Sequence, residues 1–398
     1  MSTRSFVPWS FQALALLLPP VAALAPKAVV ALLSVAALPA LIGAWHGGWR
    51  PGPDRILAAV VAAWAVWALV SCTWTFDPVD AGIMWLRDGA LLVLALLLLD
   101  VARTVAPAQR ACIGRFLAIG VIAGAMVIGL ALASDHALTR LVADASDTGD
   151  SRLNRGATTV VLCLPLALLA CRRAGRISRI ALAGAAAAAV AATPSGTALL
   201  ALLATGATAA VVAARRSLAR TMVGVAAVAG IAVMPGLVAP MTRAADMLAP
   251  PLPESAQHRL YIWRYTAARI AERPVRGWGF NSAEAMPNFG TEPFYADQSK
   301  VIPLHPHNAA LQIRLDLGVP GIGIAMALLA ALAQRTCGSH TVVAAARVAT
   351  LVAALTIACL AYGIWQEQWV ATLVAVGVLA QLADGFGEKE TAREAASP

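Results

Sequence analysis

Apolar runs of about 15 to 24 residues recur along the whole chain, and a helix needs roughly 20 such residues to cross the hydrocarbon core of a bilayer. That recurrence leaves few folds open. The 398 residues are 60% hydrophobic and 13% charged, with mean hydropathy +0.74, whereas a soluble domain carries roughly 25% charged residues. Backbone facing lipid must satisfy its own hydrogen bonds, so the spans read as helices and the fold as an all-α polytopic membrane protein. Twelve spans are expected, at about 9–26, 28–45, 55–73, 89–105, 112–134, 156–171, 180–194, 197–214, 221–240, 307–333, 341–363 and 369–384. Pro19, Pro20 and Pro26 interrupt the first pair, and only Thr193-Pro194-Ser195-Gly196 separates the seventh from the eighth. Arg4 ahead of the run from Trp9 to Ala25 also fits a secretory leader. The many later spans favour an uncleaved first helix.

The net charge of +9 does not indicate nucleic acid, because the basic residues fall in short clusters between spans, such as Arg172, Arg173, Arg176 and Arg179. Such clusters are topology signals. With the N-terminus in the cytoplasm, the short cytoplasmic loops hold thirteen arginines. The opposite short loops hold five basic residues, Lys27, Arg87, Arg140, Arg152 and Arg155, beside Asp77, Asp80, Asp135, Asp144, Asp147 and Asp150. The chain then divides into spans one to nine (1–240), an outer loop (241–306), spans ten to twelve (307–384) and a cytoplasmic tail (385–398). Cys72, Cys112, Cys163, Cys171, Cys337 and Cys359 lie in or beside spans without metal-type spacing, so neither a metal site nor a disulfide framework is expected.

The outer loop is far longer than the about 15 residues beyond which a connection is usually functional or disordered. Within it, Leu260, Trp263, Ala267 and Ile270 recur at helical spacing and predict an amphipathic helix from Ser255 to Glu272. Pro274 ends that helix, and Gly277, Trp278 and Gly279 predict a tight turn. Arg264, Arg269 and Arg273 read as surface charge on its solvated face. The densest polar cluster is Leu304-His305-Pro306-His307-Asn308, where the loop re-enters the membrane. A histidine there can serve as a general base near neutral pH. His307 and Asn308 equally fit a plain cap on span ten. Pro306 is expected to turn His305 away from His307, leaving His305 a supporting role at most, and His258 and His136 read as incidental. Arg87 and Asp88, at the outer edge of span four, can pair with each other or reach a substrate. Arg314 and Asp316, in the first turns of span ten, are expected to line a cleft, since charges at that depth face protein or water.

His307-Asn308, nine residues, then Gly318-Val319-Pro320-Gly321 resembles the His-(Asn/Ser/Gln)-x9-Gly-x-x-Gly pattern of O-antigen ligases. Arg259 to Trp263 followed by Pro274-Val275-Arg276-Gly277-Trp278-Gly279 looks like that family's Arg-x3-Trp and Pro-x-x-Gly-x-Gly stretch, and Arg152 to Gly156 is similar to its outer arginine ahead of a span containing a proline, here Pro165. Where many members carry Ser-Arg, this chain has Ser195-Gly196, so no role is carried onto Ser195.

The resemblance implies a GT-C-like helical bundle in the bacterial inner membrane, with its active site facing the periplasm. It implies transfer of a glycan from undecaprenyl pyrophosphate to lipid A–core, with inversion and without cofactor or obligatory metal. His307 would take the acceptor proton, and Arg155, Arg259 and Arg276 would meet the leaving pyrophosphate, which guanidinium forks bind bidentately. Asn308, His305, Arg87 and Arg314 are supporting candidates. A polymerase of the same superfamily, whose acceptor is another lipid-linked unit, fits the same residues. A twelve-span secondary transporter fits less well, because such transporters show related halves and broken helices at the midplane.

Overall fold

The apolar runs form helices, and those that start at Arg55 and Pro78 are capped by the Asp54 and Asp77 carboxylates. The structure, a computed structural model, describes residues 6–140, 149–214, 216–248, 251–337 and 341–386. The helices are α1 (Phe6–Leu24), α2 (Ala28–His46), α3 (Arg55–Ser71), α4 (Pro78–Arg103), α5 (Pro107–Ala133), α6 (Ala137–Arg140), α7 (Gly149–Ala170), α8 (Arg176–Ala192), α9 (Gly196–Ala214), α10 (Arg216–Asp246), α11 (Glu254–Glu272), α12 (Ser282–Ala285), α13 (Ala309–Cys337), α14 (Thr341–Leu360) and α15 (Glu367–Leu382), with no strand among the described residues. Nine described helices are long and apolar enough to cross a membrane, namely α1 to α5, α7 and α13 to α15. The chain is a polytopic membrane protein. Helices α8, α9 and α10 occupy the positions of the other three expected spans. Most of the tail placed at 385–398, together with Asp144, Asp147 and Arg215, lies outside the described residues.

Several boundaries differ from the sequence reading. Pro19 and Pro20 sit inside α1 without ending it. Helix α4 starts at Pro78, well before the expected residue 89, because the Asp77 carboxylate accepts from Asp80 N at 3.0 Å and Pro78 occupies the first turn, where it needs no donor. Arg87 and Asp88 therefore lie inside this helix rather than at its edge. Helix α7 likewise starts at Gly149, which puts Arg152 and Arg155 in its first turns. The Ser195 hydroxyl accepts from Ala198 N at 3.2 Å and caps α9.

Small residues let the helices approach closely, as membrane bundles require. A Cβ on Gly120 would lie 2.5 Å from the Ala15 carbonyl oxygen, and one on Gly156 2.6 Å from Ala23 Cα, so α1 is clasped between α5 and α7. Phe11, Leu14, Leu18, Leu117 and Leu162 fill this core.

The feature that positions the candidate site is a break in α13. Gly318 sits at φ 63° and ψ −148°, and Pro320 has no N–H to return to the Asp316 carbonyl two residues before the break. The carbonyls of Leu315, Asp316 and Leu317 are taken instead by other elements. Trp278 N donates to Leu315 O at 2.8 Å, Gly279 N to Asp316 O at 2.9 Å, and Trp67 Nε1 to Leu317 O at 2.9 Å. Val319 N reaches back to Val275 O at 2.8 Å. The Pro274–Gly279 turn is thereby docked into the break. A Cβ on Gly318 would lie 2.0 Å from Val275 O, and one on Gly277 2.5 Å from Asp316 O. Gly318→Ala should therefore destabilise the protein by more than about 2 kcal/mol, since it adds a backbone clash to a left-handed φ. Thermal unfolding in detergent checks this, and an unchanged midpoint would show that the turn and the break are not tightly docked.

Candidate functional site

Three segments meet at the end of the bundle that carries α11. The first is the stretch from His305 to Asn308. The Asn308 side chain accepts from Leu311 N at 3.1 Å and caps α13, as the simple reading of this pair had it. His307 does something else. Its backbone is left-handed at φ 54°, and its Nδ1 lies 2.6 Å from the Ala361 carbonyl oxygen. A carbonyl only accepts, so Nδ1 carries the proton and donates, which leaves Nε2 as the basic nitrogen of the neutral ring. Pro306 does not turn His305 away, contrary to expectation. The two rings pack edge to face with centroids 4.3 Å apart, and His307 N donates to His305 Nδ1 at 3.2 Å. The Pro306 carbonyl is free to aim elsewhere and accepts from Trp263 Nε1 at 2.8 Å, which ties this segment to α11.

Helix α11 is the second segment. It begins at Glu254, close to the expected Ser255, and buries Ile262, Trp263, Tyr265, Thr266 and Ile270 against the loop and α13. Arg259 is half-buried, its Nε without a hydrogen-bond partner among the described residues, and its charge acts on His307. Arg269 and Arg273 are not simply solvated. Arg269 pairs with Glu272 at 2.9 Å and lies 5.0 Å from the Phe289 ring, while the Arg273 guanidinium stacks 3.9 Å from the Trp278 ring.

The third segment, the connection from Ala361 to Gln366 between α14 and α15, was not singled out from the sequence. Besides the Ala361 carbonyl, its Ile364 N donates to Gln312 Oε1 at 2.9 Å and its Trp365 Nε1 to Asp316 Oδ2 at 2.8 Å. Asp316 also accepts from the Ser282 hydroxyl at 2.8 Å. It is wholly buried and stitches loop to bundle rather than lining a cleft. A Cβ on Gly363 would come within 2.9 Å of the His305 ring, so this glycine admits the imidazole. Tyr362, Gly363 and Trp365 form an aromatic, glycine-punctuated run between two spans, followed by Trp369 in the first turn of α15. That run is the signal by which the sequence could have revealed this wall.

Arg155 reaches the site from α7. Together with Thr158, Thr159, Tyr362, Gln368 and Trp369 it lines a small cleft of about 20 Å³. The Tyr362 and Thr158 hydroxyls are 2.8 Å apart. Arg155 acts electrostatically on both Tyr362 and His305. Burial pushes the Tyr362 phenol up to about 12. The remaining candidates stand apart. Arg276 is exposed, its guanidinium 5.9 Å from the Trp74 ring. Arg87 pairs with Glu367 at 2.7 Å, not with Asp88. Arg314 is half-buried, its Nε without a partner among the described residues. His258 packs on Tyr295, with ring centroids 4.7 Å apart, and His136 lies 3.3 Å from Asp150.

Burial lowers the His307 imidazole to about 4, with Arg259 and His258 adding to the effect and the Ala361 hydrogen bond opposing it. Burial, His307 and Arg155 likewise hold His305 well below the usual histidine range. Both rings are neutral at pH 7. The pair is thus two neutral rings in contact, with Arg259 acting on His307 and Arg155 on His305.

Residues 180–326 match the family model described as O-antigen ligase. A protein of Rickettsia typhi named "Putative polysaccharide ligase" is 31% identical over 119 residues, and similarly named proteins of Rickettsia bellii and Rickettsia felis are 32% identical over 120 and 34% over 119. Each match covers 29% of this chain and 29% of the relative, so the similarity spans under a third of the length of these proteins. The resemblance to the O-antigen ligase family read from the motifs is borne out.

The protonation state can be measured directly. In histidine-labelled protein, with the His307 signal assigned by loss in His307→Gln, the ring should titrate near 4. Arg259→Gln removes a positive neighbour and should move that titration upward. A wild-type midpoint near the ordinary about 6.5 would refute this electrostatic account.

Proposed function

We propose that this chain, whose residues 180–326 carry the O-antigen ligase region, is a membrane glycosyltransferase of GT-C type in the bacterial inner membrane. It moves a glycan from undecaprenyl pyrophosphate to lipid A–core at its periplasmic face, where the loop of residues 241–306 lies. The observation that carries the reading is the His307 imidazole. Its Nδ1 proton is held by the Ala361 carbonyl at 2.6 Å, its Nε2 is left basic, and Arg259 stands beside it.

The reaction follows from these groups. An acceptor hydroxyl gives its proton to His307 Nε2 as its oxygen forms a bond to the anomeric carbon. The bond from that carbon to the pyrophosphate oxygen breaks, and the electron pair leaves on the pyrophosphate. Attack opposite the leaving group inverts the centre. Arg259 and Arg155 meet the growing phosphate charge from α11 and α7, where a guanidinium fork can bind two oxygens at once. Arg276, on the rim with its guanidinium 5.9 Å from the Trp74 ring, meets more distant parts of the substrate in this scheme. Asn308 holds the start of α13, and His305 fixes the His307 backbone through its Nδ1 contact at 3.2 Å. The step as derived needs no metal ligand from this chain.

Deleting the gene and examining lipopolysaccharide on a gel tests the assignment. Loss of the whole polymer ladder with lipid-linked polymer accumulating is expected, whereas core carrying a single repeat would mark a polymerase instead. In purified protein His307→Ala should lower glycan transfer by at least about 100-fold, the usual scale of a general base, with unfolding temperature retained. Arg259→Lys should also fail, because a point charge does not reproduce the fork; full activity in the lysine variant would reduce Arg259 to a simple charge. EDTA should leave the rate unchanged, and loss restored by a divalent ion would overturn the metal-free scheme.

A further inference from the structure

Ala361, Tyr362 and Gly363 are consecutive, and each meets a different part of the site. The Ala361 carbonyl accepts from His307 Nδ1 at 2.6 Å, and Gly363 lies against the His305 ring, where a Cβ would come within 2.9 Å. Between them, the Tyr362 hydroxyl lies 2.8 Å from the Thr158 hydroxyl on α7. The direction of that bond follows from the next one. Thr158 Oγ1 has a single proton and lies 2.9 Å from the Arg155 carbonyl, which only accepts. Thr158 therefore donates to Arg155, and Tyr362 donates to Thr158. Thr159 Oγ1 also donates to the Arg155 carbonyl, at 2.9 Å.

A continuous chain of hydrogen bonds thus runs from the backbone that carries the Arg155 guanidinium to the residue next to the carbonyl that holds His307. Arg155, Thr158, Thr159 and Tyr362 line one small cleft. The Tyr362 ring is held separately, by packing on Trp369 with centroids 4.9 Å apart, so the hydroxyl is the part that makes the link. In the proposed reaction the base and the phosphate-binding arginine act on one substrate at the same moment. Their separation then matters more than the place of either alone. A directional bond fixes such a separation more narrowly than apolar contact does.

We propose that Tyr362 is a positioning residue for glycan transfer, its hydroxyl fixing, through Thr158, the backbone that carries Arg155 relative to the carbonyl that holds His307. The inference rests on the roles given above to His307 and Arg155. It asks more of the hydroxyl than a buried phenol finding a partner.

The test compares Tyr362→Phe, Thr158→Val, Thr158→Ser and the double variant Tyr362→Phe/Thr158→Val with the wild type, each as the purified full chain. Tyr362→Phe keeps the ring on Trp369 and removes the link alone. It should lower kcat for transfer by about ten- to a hundredfold, the scale on which small misplacements of reacting groups act, with the donor KM little changed. Thr158→Val cuts the same link from α7 and should lose as much, whereas Thr158→Ser keeps the hydroxyl and should retain the rate. The double variant should be no slower than either single one, because all three lack the same link. A second readout needs no substrate. The His307 Nδ1 proton, in its 2.6 Å bond, should resonate far downfield at neutral pH and move upfield in Tyr362→Phe. A wild-type kcat with only a lower melting temperature, an unmoved proton resonance, or additive losses in the double variant would overturn the proposal. Transfer unaffected by His307→Ala would overturn the reaction and this inference together, whereas a wild-type kcat in Tyr362→Phe beside an inactive His307→Ala overturns this inference alone. If Tyr362→Phe does not fold, Thr158→Val against Thr158→Ser supplies the same comparison.

Discussion

Everything at the loop end of this molecule depends on three backbone carbonyls that a helix cannot satisfy by itself. Pro320 supplies no N–H, and the left-handed Gly318 turns the chain away, so the oxygens of Leu315, Asp316 and Leu317 face outward at a depth where water is scarce. An unmet carbonyl in such a place costs several kcal/mol. Trp278 N, Gly279 N and Trp67 Nε1 meet them, at 2.8, 2.9 and 2.9 Å. The break is thus the socket that holds the loop. Because the same loop continues into Phe280, whose N donates to the Ser71 hydroxyl at 3.0 Å, and into Asn281, whose amide donates to Asp80 at 2.8 Å, α3 and α4 are bound to the same point.

With the loop fixed there, the histidine shelf acquires two fixed walls. Trp263 Nε1 holds the Pro306 carbonyl from α11, and the Ala361–Gln366 connection holds His307 and Gln312 from the opposite side. Asp316 joins the two systems, accepting from Ser282 on the loop and from Trp365 on the connection. A carboxylate read from the sequence as a cleft lining is therefore a positioning group. Its removal would release Trp365 and with it the strand of chain that presents the Ala361 carbonyl.

The sequence made the parts legible and hid their meeting. Apolar length gave the spans, and helical spacing gave α11 almost to the residue, since both are local properties of the chain. The His307 and Gly318 motif and the Pro274–Gly279 motif were each visible, yet nothing in either states that one is the socket for the other, because the contact is backbone to backbone across about 40 residues of chain. His305 was misread because a proline between two histidines suggests divergence, whereas the left-handed φ of 54° at His307 folds the second ring back onto the first. Asp88 was misplaced because the polar first turns of α4 look like loop; the Asp77 cap and Pro78 make them helix. The Ala361–Gln366 wall escaped notice because its main contribution to His307 is a carbonyl, which side-chain patterns do not mark; only the aromatic residues around Gly363 pointed to it.

The charges around His307 bear on the order of events in the proposed reaction. In the free site, burial and Arg259 keep the imidazole neutral, but they also make it a weak base, at about 4. An acceptor hydroxyl would lose little by keeping its proton. A pyrophosphate arriving between Arg155 and Arg259 changes this, for it brings negative charge beside the same ring. Unit charges about 5 Å apart interact by about 3 kcal/mol at an effective dielectric of about 20, which corresponds to roughly two pKa units. A shift of that size would bring His307 towards the ordinary histidine range while the proposed donor is bound. In the proposed reaction the base would be stronger with a donor bound than without one, so arginines that held the leaving group would also set when the acceptor, or water, is activated.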